Sequence, residues 1–263
     1  MTARRRDTRS ILRWVLWLQV GFALVLFSSD LARILPQLAW PSRAPQLTDP
    51  VAPGDQTRRY RPAEVAPRPA SPGTRRPVPA STEMPSRLLL EAADWDGAPS
   101  LTLTGQIAPG DAARLADYLA SAPAPQTVFL NSPGGSVQDA LAIGRTLRAL
   151  EVDTRMSDTD ICLSACPYIL AAGIRRHVDD GAWVGVHQHF FGENTALPAF
   201  LAVEDIQRGQ GEVMAYLDEM GIDPLLMQPA LLTPPDEIYL LLPEELDRYR
   251  LVTTGPDPGD AQS

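Results

Sequence analysis

Hydrophobic and polar positions fall into three regimes along this chain. From Trp14 to Phe27 the residues are apolar except Gln19 and Gly21. Over residues 36–86 no period is sustained. From Leu88 onward, short apolar runs alternate with stretches that repeat at helical spacing. Leu88–Leu90 predicts a first strand, and Leu101-Thr102-Leu103-Thr104 alternates as a strand should before Gly105 ends it. Pro109-Gly110-Asp111 opens a helix that carries Ala112, Leu115, Ala116 and Leu119 on one face. Thr127–Leu130 is short and wholly apolar, the pattern of a parallel strand covered on both faces. Val137, Ala140, Leu141, Gly144, Leu147 and Leu150 then mark a helix face.

Val152–Met156 predicts another strand, Ser164–Ala172 a helix stopped by Gly173, and Ala182–His187 a strand. Leu197–Met220 reads as helix with weak points at Gly209 and Gly211, and Pro224–Leu232 as a short helix. Ile238–Leu242 predicts the last strand and Pro243–Arg250 the last helix, with proline in its first turn. Strand–helix alternation implies an α/β fold with crossover connections.

The first regime sets the chain's address. Arg4-Arg5-Arg6 and Arg9 precede the apolar run, which reaches the minimum length of a bilayer span when counted from Ile11. The basic flank keeps the N-terminus in the cytoplasm and sends the rest across the membrane. A cleaved signal peptide is the alternative, although Phe27-Ser28-Ser29-Asp30 lacks the small-residue cleavage pattern. Either way the domain is extracytoplasmic: at the periplasmic face of the inner membrane if anchored, or secreted if cleaved. The expected organisation is a basic flank at 1–10, a signal anchor at 11–28, a disordered Pro/Arg-rich linker at 29–87, one domain at 88–253 and a disordered tail at 254–263.

Charge follows the same division. Residues 1–87 hold 14 Arg against 6 acidic residues, and residues 88–263 hold 9 Arg against 26. An acidic domain argues against nucleic acid as a partner, because phosphate binding needs a basic face. All 23 basic residues are arginine, so no mechanism that uses a catalytic lysine is open to this chain.

Ser164 begins a helix just after a loop, where its hydroxyl could attack a carbonyl while the backbone N–H of Ala165 holds the oxyanion. Gly134 and Gly135 follow a strand end, where the lack of Cβ lets backbone N–H groups approach a substrate. A helix N-cap accounts equally well for Ser164 alone, and a plain turn for the glycines. The base must be histidine or a carboxylate. His187 and His189 share one strand face, and either can serve; His177 sits on a connection and is set aside. Cys162 and Cys166 bracket Ser164. They can close a disulfide in an oxidising compartment, or join His187 and His189 in a Cys2His2 zinc site.

Asn131-Ser132-Pro133-Gly134-Gly135, Ser164-Ala165, Ala172-Gly173 with Arg175-Arg176, and Val186-His187-Gln188 resemble, in order, the motifs of the Clp protease proteolytic-subunit family within the ClpP/crotonase superfamily. The resemblance covers about residues 100–252, and with its anchor the chain looks more like periplasmic members than the cytosolic protease. It implies stacked ββα units, a Ser164–His187–Asp236 triad, and oxyanion donors at Ala165 and one of Gly134 and Gly135. It also implies a peptide or protein substrate, a homo-oligomer, and no cofactor or metal. The spacing from Asp236 to Pro243 is longer than the family's, with Glu237 as the neighbouring carboxylate, and the loop from Gly173 to His187 is shorter. Membrane-linked relatives that use a serine–lysine dyad are excluded as a mechanistic model by the lack of lysine. A ClpP-like domain that binds peptides without catalysis, and a crotonase-type acyl-CoA enzyme, are the rival functions.

Overall fold

The computed structural model describes residues 8–39, 42, 44–69, 73–79, 81–189 and 199–253. The chain divides into two units after Arg43. The first contains α1, Thr8–Ala39, which extends beyond both ends of the expected anchor. Its stretch Arg9–Ser28 is long and apolar enough to cross a membrane, with a mean hydropathy of 1.8. Arg4-Arg5-Arg6 lies outside the described residues, as does the tail from Thr254.

The second unit is mixed α/β with two sheets. In chain order it carries β1 (Thr57–Arg59), β2 (Leu89–Trp95), β3 (Ala98–Thr104), α2 (Asp111–Ser121), β4 (Thr127–Asn131), α3 (Val137–Ala149), β5 (Asp153–Met156) and β6 (Ile161–Leu163). There follow α4 (Cys166–Ala171), β7 (Arg176–Val178), β8 (Trp183–Val186), α5 (Ala199–Glu219), α6 (Met227–Leu232), β9 (Glu237–Leu240) and α7 (Pro243–Arg248). One sheet has the order β2-β3-β4-β5-β7 and the other β1-β9-β8-β6. In the first, only the β2–β3 hairpin is antiparallel. In the second, β6 and β8 are parallel while β9 runs antiparallel to β8 and β1.

The centre of β4, Val128–Leu130, is apolar because it is covered on both faces. Val128 and Leu130 join the main core, while Phe129 packs edge-on against Trp95 at 4.9 Å. Beyond its end, Ser132 bridges to Cys162, so the two sheets meet where the chain turns toward Gly134. Helices α3 and α5 approach closely: a Cβ on Gly144 would lie 1.8 Å from the Tyr216 hydroxyl. That hydroxyl donates to the Tyr168 carbonyl at 2.7 Å, which ties α5 to α4. α5 runs through Gly209 and Gly211 without interruption, and the expected helix start at Leu197 lies outside the described residues.

The larger departure is the expected linker. Residues 29–39 continue α1, and much of 44–87 packs onto the domain. β1 adds a strand to β9, pairing Thr57 with Tyr239 and Arg59 with Glu237. Arg58 is fully buried and donates to the carbonyls of Asp49, Pro50 and Thr57 and to Asp55. Arg68 donates to the carbonyls of Asp158, Thr159 and Gly181, and its guanidinium lies 3.8 Å over the Trp183 ring. Arg76 pairs with buried Asp160 at 2.8 Å. A Pro/Arg segment cannot build a core of its own, but its arginines can satisfy carbonyls at the rim of an existing one.

Candidate active site

The site forms where β4, β6 and β8 end. β4 runs into Asn131-Ser132-Pro133-Gly134-Gly135, and Ser136 then caps α3 by accepting from the Asp139 N–H. Gly134 has φ +97°, and a Cβ there would lie 2.5 Å from the Leu163 carbonyl oxygen and 2.6 Å from Ser164 Cβ. Only glycine lets this turn approach the serine so closely. The Gly134 N–H donates to Ser132 Oγ at 3.1 Å. The Gly135 N–H has no acceptor among the described residues, which leaves it the better placed donor of the two.

β6 ends at Leu163, and Ser164 takes the left-handed conformation with φ +62° before α4 begins. A non-glycine residue there costs roughly 1–2 kcal/mol and must be held by its surroundings. The holding groups are visible. The Ser164 N–H donates to the Gly185 carbonyl at 2.9 Å, and the Leu163 N–H to Ser132 at 3.0 Å. Cys162 and Cys166 are joined in a disulfide that brackets the turn, with Cα atoms 5.0 Å apart. The Ala165 N–H, on a fully buried residue, has no acceptor among the described residues.

His187 follows β8, and its Nε2 lies 2.7 Å from Ser164 Oγ. For Nε2 to accept the hydroxyl proton, the neutral ring must carry its own proton on Nδ1. Burial pushes the His187 pKa down to about 4, with His189 adding to the effect, while the Pro235 and Pro234 carbonyls favour the charged ring. The imidazole is therefore neutral and able to take a proton at pH 7.

Three expectations are corrected. Asp236 is exposed, and its backbone carbonyl accepts from the Tyr60 N–H at 2.9 Å. The His187 Nδ1 has no hydrogen-bond partner among the described residues, and none of their carboxylates completes a triad with it. The cause is the turn before β9: the Glu237 N–H closes on the Pro234 carbonyl at 3.0 Å, which turns main chain rather than Asp236 toward the ring. His189 is not brought to the serine; its Nε2 meets the Tyr168 hydroxyl at 2.5 Å. The zinc arrangement is removed because both thiols are consumed in the disulfide.

One residue of the site has no counterpart in the sequence reasoning. Tyr60 is 2% exposed, and its ring packs edge-on against His187 with centroids 5.0 Å apart. Its hydroxyl donates to the Pro133 carbonyl and lies within hydrogen-bonding reach of Ser164. Its only sequence signal was an aromatic residue inside a Pro/Arg-rich stretch.

No family model matches the chain, and no curated protein matches it. Among solved structures it is similar to a ClpP1 mutant from Listeria monocytogenes, at 20% identity over 58% of this chain and 88% of that one, with a TM-score of 0.46.

Proposed function

We propose that this chain is an extracytoplasmic serine hydrolase, a ClpP-like peptidase held at the membrane by its N-terminal helix. The observation that carries the reading is the 2.7 Å contact between His187 Nε2 and Ser164 Oγ on a serine held at positive φ. His187 takes the Ser164 proton as Oγ attacks the substrate carbonyl, then returns it to the leaving group. The Ala165 and Gly135 N–H groups receive the oxyanion. Water repeats the sequence to release the acyl group. The imidazolium formed on the way is stabilised by the Pro234 and Pro235 carbonyls in the role an aspartate holds in a full triad.

The site motifs resemble those of Clp proteolytic subunits, which supports a peptide or protein substrate and a homo-oligomer. The basic flank and apolar helix support an inner-membrane anchor with the domain on the periplasmic side. The disulfide is in keeping with an oxidising compartment.

The second reading is a ClpP-like domain that binds peptides without cleaving them, and the lack of a carboxylate on His187 Nδ1 among the described residues favours it. Turnover separates the two. Purified full-length protein is incubated with a mixture of fluorogenic peptides. Cleavage by wild type and none by Ser164→Ala is the result expected, whereas binding without cleavage by either protein establishes the second reading.

A further inference from the structure

The segment between the apolar helix and β2 reaches the centre of the site through one side chain. β1 pairs antiparallel with β9, and the next N–H, that of Tyr60, bonds to the Asp236 carbonyl. This delivers Tyr60 beside the Pro234–Pro235 turn that flanks His187. There the tyrosine touches three parts of the site at once. Its single hydroxyl proton goes to the carbonyl of Pro133, the residue that leads into Gly134 and Gly135. The same oxygen lies within reach of Ser164, and the ring edge meets the imidazole at 5.0 Å and 69°.

With no carboxylate on its Nδ1 among the described residues, the His187 ring has to be oriented by whatever else surrounds it. Around His187 those groups are Ser164 from the turn after β6, His189 on its own strand end, the Pro234 and Pro235 carbonyls, and Tyr60. We infer that Tyr60 is a positioning residue of this site: its hydroxyl fixes the glycine turn, and its ring holds the imidazole against Ser164 and keeps water from it. The inference rests on the hydrolase reading, and it makes the membrane-proximal segment part of the reaction centre rather than a spacer. If the segment were instead a cover over a finished site, removing the tyrosine would speed the reaction.

The test uses the full-length chain in detergent micelles, with Tyr60→Phe and Tyr60→Ala. Two quantities are read: the rate of fluorophosphonate labelling at Ser164, and the titration midpoint of the His187 ring by NMR, assigned through His187→Gln. Tyr60→Phe loses one hydrogen bond and keeps the ring, so labelling slows by about 3–10-fold. Its His187 midpoint stays in place. Tyr60→Ala frees the imidazole, so labelling slows by about 100-fold. Water then reaches the ring, and its midpoint rises by about one pH unit.

Labelling of Tyr60→Ala as fast as wild type or faster overturns the inference, as does an unmoved midpoint. Should Tyr60→Ala not fold, Tyr60→Phe decides, and wild-type labelling by that variant overturns it. If wild type is not labelled at Ser164 but the midpoint still rises in Tyr60→Ala, the hydrolase reading fails while the hold of Tyr60 on the ring stands.

Discussion

His187 Nε2 lies 2.7 Å from Ser164 Oγ, while its Nδ1 has no hydrogen-bond partner, carboxylate or other, among the described residues. That bears directly on Asp236. Its side chain is exposed, so Asp236→Asn leaves the labelling rate within about twofold of wild type, the range of an ordinary surface change. On the proposed mechanism, His187→Gln removes the base and slows labelling by about 100-fold or more. A large loss in Asp236→Asn would mean that the carboxylate swings onto the ring when Ser164 reacts.

The glycine turn tolerates no side chain. At Gly134 a Cβ would press on the Leu163 carbonyl at 2.5 Å and on Ser164 itself, at a φ that side chains rarely adopt. Gly134→Ala therefore costs about 2 kcal/mol or more of stability and abolishes Ser164 labelling. Chemical denaturation together with labelling checks both parts, and a stable, reactive variant would contradict the geometry.

The disulfide acts on the serine turn. Cys162 and Cys166 enclose a short loop, so opening it costs about 2 kcal/mol on the chain-entropy view. Ser164 also loses a restraint on its left-handed conformation. The Cys162→Ser/Cys166→Ser variant melts lower and labels more slowly than wild type. If it melts lower yet labels at the wild-type rate, the clamp serves the fold and not the serine.

Most of the regular elements were legible from hydrophobic periodicity. The apolar run at Val128–Leu130, the helix face through Leu141 and Leu147, and the late strand at Ile238 all appear where the pattern puts them. The serine–histidine contact was legible only through short motifs, because the two residues are brought together by the parallel pairing of β6 with β8. What failed was composition. Arginine-rich, proline-rich sequence signals a solvated spacer, yet Arg58 is fully buried and Arg68 and Arg76 reach the loop before β6. A guanidinium with several carbonyl partners breaks the usual link between charge and exposure, and no periodicity announces it. Asp236 failed for a different reason: in the turn that the Glu237 N–H closes on the Pro234 carbonyl, its side chain stands in solvent while its own carbonyl accepts from the Tyr60 N–H.

Acidification should loosen the domain. Burial pushes His187 and His189 down to about 4, below the usual histidine value. The unfolded chain therefore binds protons first as pH falls. Stability from these rings is complete above about pH 6.5 and is lost toward pH 4, on the order of 3 kcal/mol for each. Asp160 works the other way: burial raises it to about 6, so the folded state gains as pH falls below that value. Two histidines outweigh one carboxyl, and the melting temperature drops between about pH 7 and pH 4.5. His187→Gln/His189→Gln flattens that slope, and a melting temperature that held steady or rose on acidification would contradict the burial of the two rings.

The nucleophilic role of Ser164 is most directly tested by intact-mass and peptide-mapping analysis after fluorophosphonate treatment of the full-length protein at neutral pH. The account predicts one adduct, located on Ser164, absent from Ser164→Ala and strongly slowed in His187→Gln. A folded protein with the disulfide intact that takes up no label at Ser164, or labels equally without His187, would contradict it.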